Sequence, residues 1–541
     1  MPPRAKKGRS APSTVSELKN TLWKAADRLR GSLPASRYKD VILGLVFLKY
    51  VSDAYDEHRE TVHAELSGQG YDEDRIAGLI DDPATYRQHG VFVVPPAARW
   101  SYLAANAKGG SAGHTGPART VGRLIDEAME SVMEANPTLR GTLPRLYDGE
   151  TLDQRRLCEL LDLFDGARFS RRGEHRTRDL MGEVYEYFLG RFARAEGKRG
   201  GEFFTPPSVV KVLVEVLEPS SGRVYDPCCG SGGMFVQTEK FLHEHNGDPA
   251  DIAVHGQESN EETWRMATMN LAVHGIDNSG LGARWDDTFA RDRHPGVRMD
   301  YVLANPPFNI KHWSRDERDP RWRFGVPPAH NANFAWIQHI LSKLGPTGSA
   351  GVVLANGSMT SRSGTEGDIR ARIVEADLVS CMVALPTQLF RSTGIPVCLW
   401  FFSRDKTAGP GGAVDRSGEV LFIDARDLGH LVDRAERALS DDDIARIADT
   451  YRAWRGTRSA TERKLVYEDE PGFCRSVGLA GIRAADHVLT PGRYVGTPEI
   501  EDDGEPVDER IRRLHTELLA AFDESARLEK VVRAQLERTD G

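Results

Sequence analysis

Between residues 202 and 428, short apolar runs alternate with stretches of helical periodicity, which confines this part of the chain to a doubly wound α/β sheet. Seven runs read as strands: Arg223–Asp226, Ile252–Gln257, Tyr301–Ala304, Gly351–Ala355, Val379–Leu385, Val397–Phe402 and Val420–Asp424. Their apolar character predicts a parallel sheet with helices on both faces. Ligands of such sheets bind beyond the carboxyl ends of the strands, where the strand order reverses. The residues that close each strand are therefore the candidates for chemistry.

The rest of the chain reads as helical. Leu18, Leu22, Ala25 and Leu29, and then Ile42, Leu45 and Val46, recur at helical spacing and predict an N-terminal helical domain over 13–195, with a Gly/Pro-rich surface loop at 108–117. A further amphipathic helix at 179–189 leads into the basic connector 198–201 and the sheet domain, 196–428. Residues 1–12, with Arg4, Lys6, Lys7 and Arg9 among Pro, Gly and Ser, form a basic tail unable to order itself. Beyond 428 a polar linker opens a C-terminal helical region, 429–541. There Val507, Ile511, Leu514, Leu518, Phe522, Leu528, Val532 and Leu536 make a near-heptad apolar stripe that needs a cover.

Composition narrows the function. A net charge of -9 over 541 residues argues against a protein that coats nucleic acid through its overall charge. The six cysteines show no CxxC pair or zinc spacing, which points to a reduced cytoplasmic setting without a structural metal. The longest apolar run, 41–51, holds Lys49 and is too short to span a bilayer, and the N-terminus has no signal-type region, so no membrane is expected.

The strand candidate Tyr301–Ala304 ends in Asn305-Pro306-Pro307-Phe308. Two prolines remove two backbone donors and stiffen the loop, so carbonyl oxygens are presented without competing N–H groups. The Asn305 side-chain oxygen and the Pro306 carbonyl suit the two protons of a planar amino group, and Phe308 suits the ring that carries it. Taken alone, the tetrapeptide reads equally as a proline-punctuated strand end.

Earlier strand ends supply the context. Asp226-Pro-Cys-Cys-Gly230-Ser231-Gly232-Gly233 is a turn that lets a ligand approach the backbone at a helix N-terminus. The G-x-G-x-x-G spacing of a dinucleotide site fails, since Phe235 stands where the third glycine belongs. A methionine-type cofactor has no pyrophosphate, and Asp226 can neutralise its ammonium group. Glu258, closing the next strand, can accept two ribose hydroxyls, and Asp286 stands where an adenine amino group can be read. Each acid alone reads as a helix cap or solvated loop end; their order, one per strand end, carries the inference. Upstream, Thr205 as N-cap with Pro206 in the first helical position accounts for the start of the helix that follows.

With these motifs assembled, the chain resembles the modification subunits of type I restriction-modification systems, which are adenine-N6 DNA methyltransferases. The resemblance rests on Glu202-Phe-Phe-Thr-Pro206, the turn 226–233, Gly256-Gln-Glu258, Asn305–Phe308, Thr393-Gly-Ile-Pro396 and Pro491-Gly-Arg-Tyr494. It implies a Rossmann-like methyltransferase sheet and S-adenosylmethionine as cofactor. Glu202, Phe203, Phe204, Thr205, Pro206, Pro207, Asp226, Gly230, Ser231, Gly232, Gly233, Glu258 and Asp286 would hold that cofactor, and Asn305, Pro306, Pro307 and Phe308 would carry the transfer. It implies duplex DNA with a flipped adenine as substrate. It also implies a specificity subunit on the C-terminal stripe, a second copy of this chain and a restriction (translocase) subunit. Two departures from the family pattern stand out: Cys228 replaces a usual alanine and Asn333 a common aspartate. The competing readings are a protein glutamine-N5 methyltransferase, which would share the Asn-Pro-Pro chemistry, and a non-catalytic scaffold.

Overall fold

The structure is a computed structural model that describes residues 19, 23–24, 35–108, 120–149, 152–165, 177–196, 204–390, 395–434, 436–497 and 507–539. The basic tail, Leu18, Leu22, Ala25, Leu29, the loop at 109–117, the connector 198–201, Glu202, Phe203, Thr393 and Gly394 lie outside them.

Among the described residues ten strands occur in chain order: β1 (Gly222–Asp226), β2 (Ile252–Gly256), β3 (Met299–Ala304), β4 (Leu344–Ala355), β5 (Val379–Ala384), β6 (Val397–Ser403), β7 (Glu419–Asp424), β8 (His430–Leu431), β9 (Arg437–Ala438) and β10 (Cys474–Gly478). Eight of them form one sheet in the order β10-β7-β5-β6-β4-β3-β1-β2, and β8 and β9 make a small hairpin. All seven expected strands are present. β1 pairs in parallel with both β2 and β3, so the chain leaves β1 first to one side and then to the other, and the strand order reverses there.

The sheet is mixed rather than parallel. β6 runs antiparallel to both β4 and β5, and β10 antiparallel to β7. The physical reason is the connection from β5 to β6, residues 385–396, which has no helix among its described residues. A parallel return needs a crossover, usually a helix, whereas antiparallel strands join directly.

Both faces of the sheet are buried. Val224, Leu303, Val353, Leu399 and Phe401 point to one face, and Tyr225, Val302, Val352, Trp400 and Phe402 to the other, the period-2 alternation of a strand. Helix α1 (Ala35–Gly68) buries Val41, Ile42, Leu45 and Val46 in a helical core with α2 (Val121–Ala135), α3 (Gln154–Asp165) and α4 (Thr177–Glu196). α5 (Pro207–Leu217) covers the sheet face that carries Val224. α6 (Gly233–Glu244) follows β1, and α7 (Glu261–Val273) follows β2. Met266, Met269, Ala272 and Val273 of α7 belong to the helical core, so helical region and sheet share a helix. α8 (Asn333–Lys343) packs Phe334, Ile337 and Ile340 on the opposite face.

The sheet also outruns its expected end at 428. β10 lies at 474–478, and α9 (Asp441–Arg455) buries Ile444, Ile447 and Trp454 in the sheet core. Residues up to Val495 form one compact unit, and Gly496–Gly541 form a second. β10, Cys-Arg-Ser-Val-Gly, is a short edge strand with little apolar content, so no strand pattern marks it. In the second unit α10 (Val507–Thr539) exposes Ile511, Leu514, Leu518, Leu519, Phe522, Leu528 and Val532. No helix among the described residues is long and apolar enough to cross a membrane.

Candidate active site

Asn305 follows the last residue of β3, and its side chain is held from across the site. Its Nδ2 donates to Thr205 Oγ1 at 2.9 Å, which leaves Oδ1 buried with no protein partner. Thr205 is thus not the helix cap expected from the sequence: the N-cap of α5 is Pro206, without a side-chain cap bond, and Pro207 takes the first turn. The threonine hydroxyl serves Asn305 instead. Pro306 is buried, and Phe308 meets Phe390 edge-on with ring centroids 6.1 Å apart.

The loop exit is fixed by a reciprocal amide pair. Asn309 N donates to Asn333 Oδ1 at 3.0 Å, and Asn333 Nδ2 donates to Asn309 Oδ1 at 2.9 Å. Asn309 has φ 55, a left-handed conformation that asparagine tolerates better than most residues. An amide at 333 both accepts and donates, whereas a carboxylate can only accept, which gives the substitution for aspartate a local use.

At the end of β1, Asp226 is 2% exposed and accepts from Cys228 N at 3.0 Å. Burial pushes its carboxyl up to about 7, against the opposing pull of that hydrogen bond. Gly230 (φ 54) and Gly232 (φ 81) adopt left-handed backbone, and α6 begins at Gly233 with no side-chain cap, so its first N–H groups face the turn. Gly230 N donates to Glu258 Oε2 at 3.1 Å and Cys229 N to Gln257 O at 2.9 Å, which ties the ends of β1 and β2 together. Glu258 Oε1 accepts from Asn260 N at 2.8 Å, and burial raises the Glu258 pKa. Oε1 also accepts from Ser259 Oγ at 3.3 Å, so it is Oε2 that keeps a further lone pair for a ligand.

These residues line two adjoining cavities. The first is lined by Phe204, Thr205, Pro207, Asp226, Gly230, Ser231, Gly233 and Asn305 of the expected set. The second is lined by Glu258, Asp287, Thr288, Phe289, Pro307, Trp313 and Trp336. Cys228 belongs to both walls.

Asp286 lines neither. Its carboxylate pairs with Arg293 at 2.5 Å, and its backbone N donates to Glu258 O at 2.8 Å. The neighbouring Asp287 faces the second cavity, where it accepts from Phe289 N at 2.7 Å and Ser314 Oγ at 2.9 Å. Two adjacent acids in an aperiodic loop give no sequence signal as to which one faces inward.

Sequence reasoning also passed over Glu186 and Asn270, which line the first cavity, and Trp313 and Trp336, which line the second. Asn270 had a signal: it interrupts the apolar run around Met269, Leu271 and Val273, and a polar residue inside a buried helix needs a reason. Glu186 had none, because it sits among tyrosines and charges on an ordinary amphipathic helix.

The strand-order reversal at β1, a glycine turn preceded by a buried acid, and an asparagine-proline loop beside it define an α/β group-transfer domain for a nucleoside cofactor with an amino-acid end. Comparison with known proteins agrees. Residues 176–503 match the N-6 DNA Methylase family, and residues 18–164 match the HsdM N-terminal domain. The type I restriction enzyme HindI methylase subunit of Haemophilus influenzae is 46% identical over 454 residues, 82% of this chain and 99% of that protein. The MjaIX methylase subunit of Methanocaldococcus jannaschii is 36% identical over 535 residues, 96% of this chain and 91% of that protein. The crystal structure of a type I methyltransferase subunit from Streptococcus thermophilus shares the fold, with a TM-score of 0.70 at 23% identity over 89% of this chain and all of that one. The chain belongs to the N-6 DNA methylase family and, within it, to the methylase subunits of type I restriction enzymes, S-adenosylmethionine-dependent and adenine-specific. The buried acid Asp226 and the glycine turn suit that cofactor.

Proposed function

We propose that Asn305, Pro306 and Phe308 receive an adenine that has left the DNA duplex and carry the methyl transfer to its N6. The observation that supports this most is the Asn305 Oδ1 atom, buried, unpaired and aimed by Thr205. An exocyclic adenine nitrogen is a weak nucleophile because its lone pair is delocalised into the ring. Asn305 Oδ1 and the Pro306 carbonyl accept its two protons, which localises the lone pair on nitrogen. Pro307 offers no competing N–H, and Phe308 stacks on the base. Bound S-adenosylmethionine supplies an electrophilic methyl group on a sulfonium. Asp226, the turn 230–233 and Glu258 hold that cofactor, with Phe204 to Pro207 closing the wall next to Asn305. Asp287, rather than Asp286, reads the adenine ring of the cofactor. Positioned acceptors and orientation, rather than a covalent intermediate on the protein, account for the acceleration.

The reading extends to assembly. The exposed stripe on α10 receives helices of a specificity subunit that chooses the DNA site. A second copy and a restriction subunit complete the complex in the cytoplasm. Helical cover of this kind fits near-heptad spacing, and no sequence-reading motif competes for the role in this chain.

The test is to reconstitute the chain with its specificity subunit, supply labelled S-adenosylmethionine and host DNA from a strain lacking the gene, and analyse the nucleosides. Label in N6-methyladenine is expected. Label in N4-methylcytosine, or only in protein, would overturn the reading.

A further inference from the structure

We propose that Asn270 of α7 and Glu186 of α4 complete the seat for the α-ammonium group of the cofactor's amino-acid end, with Asp226 as the third acceptor. The inference rests on the cofactor reading above and adds two residues to it, one from outside the sheet. An ammonium group carries three N–H donors and needs three acceptors when it leaves water. The cavity beside the glycine turn provides them: Asp226, Asn270 and Glu186 line it together.

Asn270 is the firmest of these. It is 1% exposed, and its Nδ2 donates to Ser231 O at 2.8 Å inside the glycine turn. That bond fixes the amide plane and leaves Oδ1 buried without a protein partner on the cavity wall. A buried acceptor left unpaired is uncommon and calls for a donor from elsewhere. The two unpaired asparagine oxygens of this cavity then divide its labour. Asn305 Oδ1 lies at the β3 end, where Thr205 aims it, and Asn270 Oδ1 lies at the Ser231 end.

Glu186 enters from the helical region. Lys240 of α6 holds its Oε2 at 2.5 Å, and α6 is the helix that begins at the glycine turn. The ion pair fixes the carboxylate at the cavity, and its remaining lone pairs are available to a cation. Asp226 alone is a weak seat because burial favours its protonated form. A second carboxylate, less buried and already held in place, supplies the missing negative charge. The amino-acid end of the cofactor thereby joins α4 to the sheet.

Titration calorimetry of the full chain separates this role from a structural one. S-adenosylhomocysteine carries the amino-acid end, and 5′-deoxy-5′-methylthioadenosine has the same thioether nucleoside without it. Glu186→Gln and Asn270→Leu are each expected to weaken S-adenosylhomocysteine binding by about tenfold or more, the loss of a charge-assisted bond, while binding of the truncated nucleoside changes less than about twofold. Equal losses for both ligands, or no loss for either, would overturn the inference. If Asn270→Leu fails to fold, Glu186→Gln alone decides. A wild-type chain that binds neither nucleoside would instead overturn the cofactor reading.

Discussion

At the carboxyl end of the sheet, Asn270 and Asn305 bury oxygen atoms with no protein partner, whereas along α10 Ile511, Leu514, Leu518, Phe522, Leu528 and Val532 leave apolar side chains exposed. The two regions are incomplete in opposite senses. A buried unpaired acceptor costs free energy unless a ligand supplies the donor. An exposed apolar stripe costs little in a hydrated helix but gains much when another helix covers it. Position follows from the same physics. The polar gap sits where strand ends, a glycine turn and a proline loop fix side chains by hydrogen bonds. The apolar gap sits on one long helix in a separate compact unit. On the proposed function, chemistry falls to the first region and assembly to the second.

The largest test of that division is Asn305→Ala. It removes one proton acceptor and leaves the glycine turn untouched, so methyl transfer should fall by about two to three orders of magnitude while cofactor affinity stays the same. Single-turnover transfer of labelled methyl groups, measured beside calorimetry, reads both. Transfer within tenfold of wild type would mean that the amino protons are accepted elsewhere. The matching test of α10 is the double change Leu518→Asp and Phe522→Asp. Two charges in a covered apolar seam should weaken association with the specificity subunit by about a hundredfold on a sizing column or by interferometry, with unchanged cofactor binding. Intact assembly would move the interface off this helix.

Sequence pattern reached the two regions unequally. The strand ends were legible because each polar residue that matters closes an apolar run, and Asp226, Glu258 and Asn305 occupy the ends of consecutive neighbours in the sheet. The direction of β6 and the edge strand β10 were not. Antiparallel pairing of β6 follows from a short connection with no helix among its described residues, and β10 carries too little apolar sequence to announce itself. Thr205 shows the limit most clearly. Its place before a proline and a helix explains a cap, yet the hydroxyl is spent on an asparagine a hundred residues away, a contact that no local pattern records. Asp286 and Asp287 are the same lesson at one-residue resolution, since only the loop's path decides which acid faces the cavity.

A smaller effect tests the electrostatics of the polar gap. Burial pushes the Asp226 carboxyl up to about 7; on the proposed seat a bound ammonium favours its charged form, so cofactor binding should release a proton from it. Affinity should therefore rise with pH as Asp226 ionises, by about twentyfold between pH 5.5 and 7.5, and level off above its pKa. Asp226→Asn should bind weakly with a flat profile over that range. Stability runs the other way. A carboxyl whose folded pKa lies above its unfolded value costs the ligand-free protein more as pH climbs from about 4 to about 7, so the melting temperature of Asp226→Asn should gain on wild type across that window and hold its lead above it. A parallel pair of melting curves would show that Asp226 does not carry this charge.

The finest test lies inside the reaction loop, where Thr205 holds Asn305 by one hydrogen bond. Thr205→Val keeps the shape of the side chain and removes the acceptor, so the Asn305 amide loses the contact that decides which way its oxygen points. A net hydrogen bond is worth about 1 kcal/mol, which corresponds to about a fivefold fall in the transfer rate. Thr205→Ser keeps the hydroxyl and should recover most of the rate, although it lacks the methyl group. Cofactor affinity should not separate the two variants, because the hydroxyl orients the target side of the cavity and not the glycine turn. If valine and serine instead weaken cofactor binding alike, Thr205 acts only through its shape in the cofactor wall and Asn305 is aimed by its own strand.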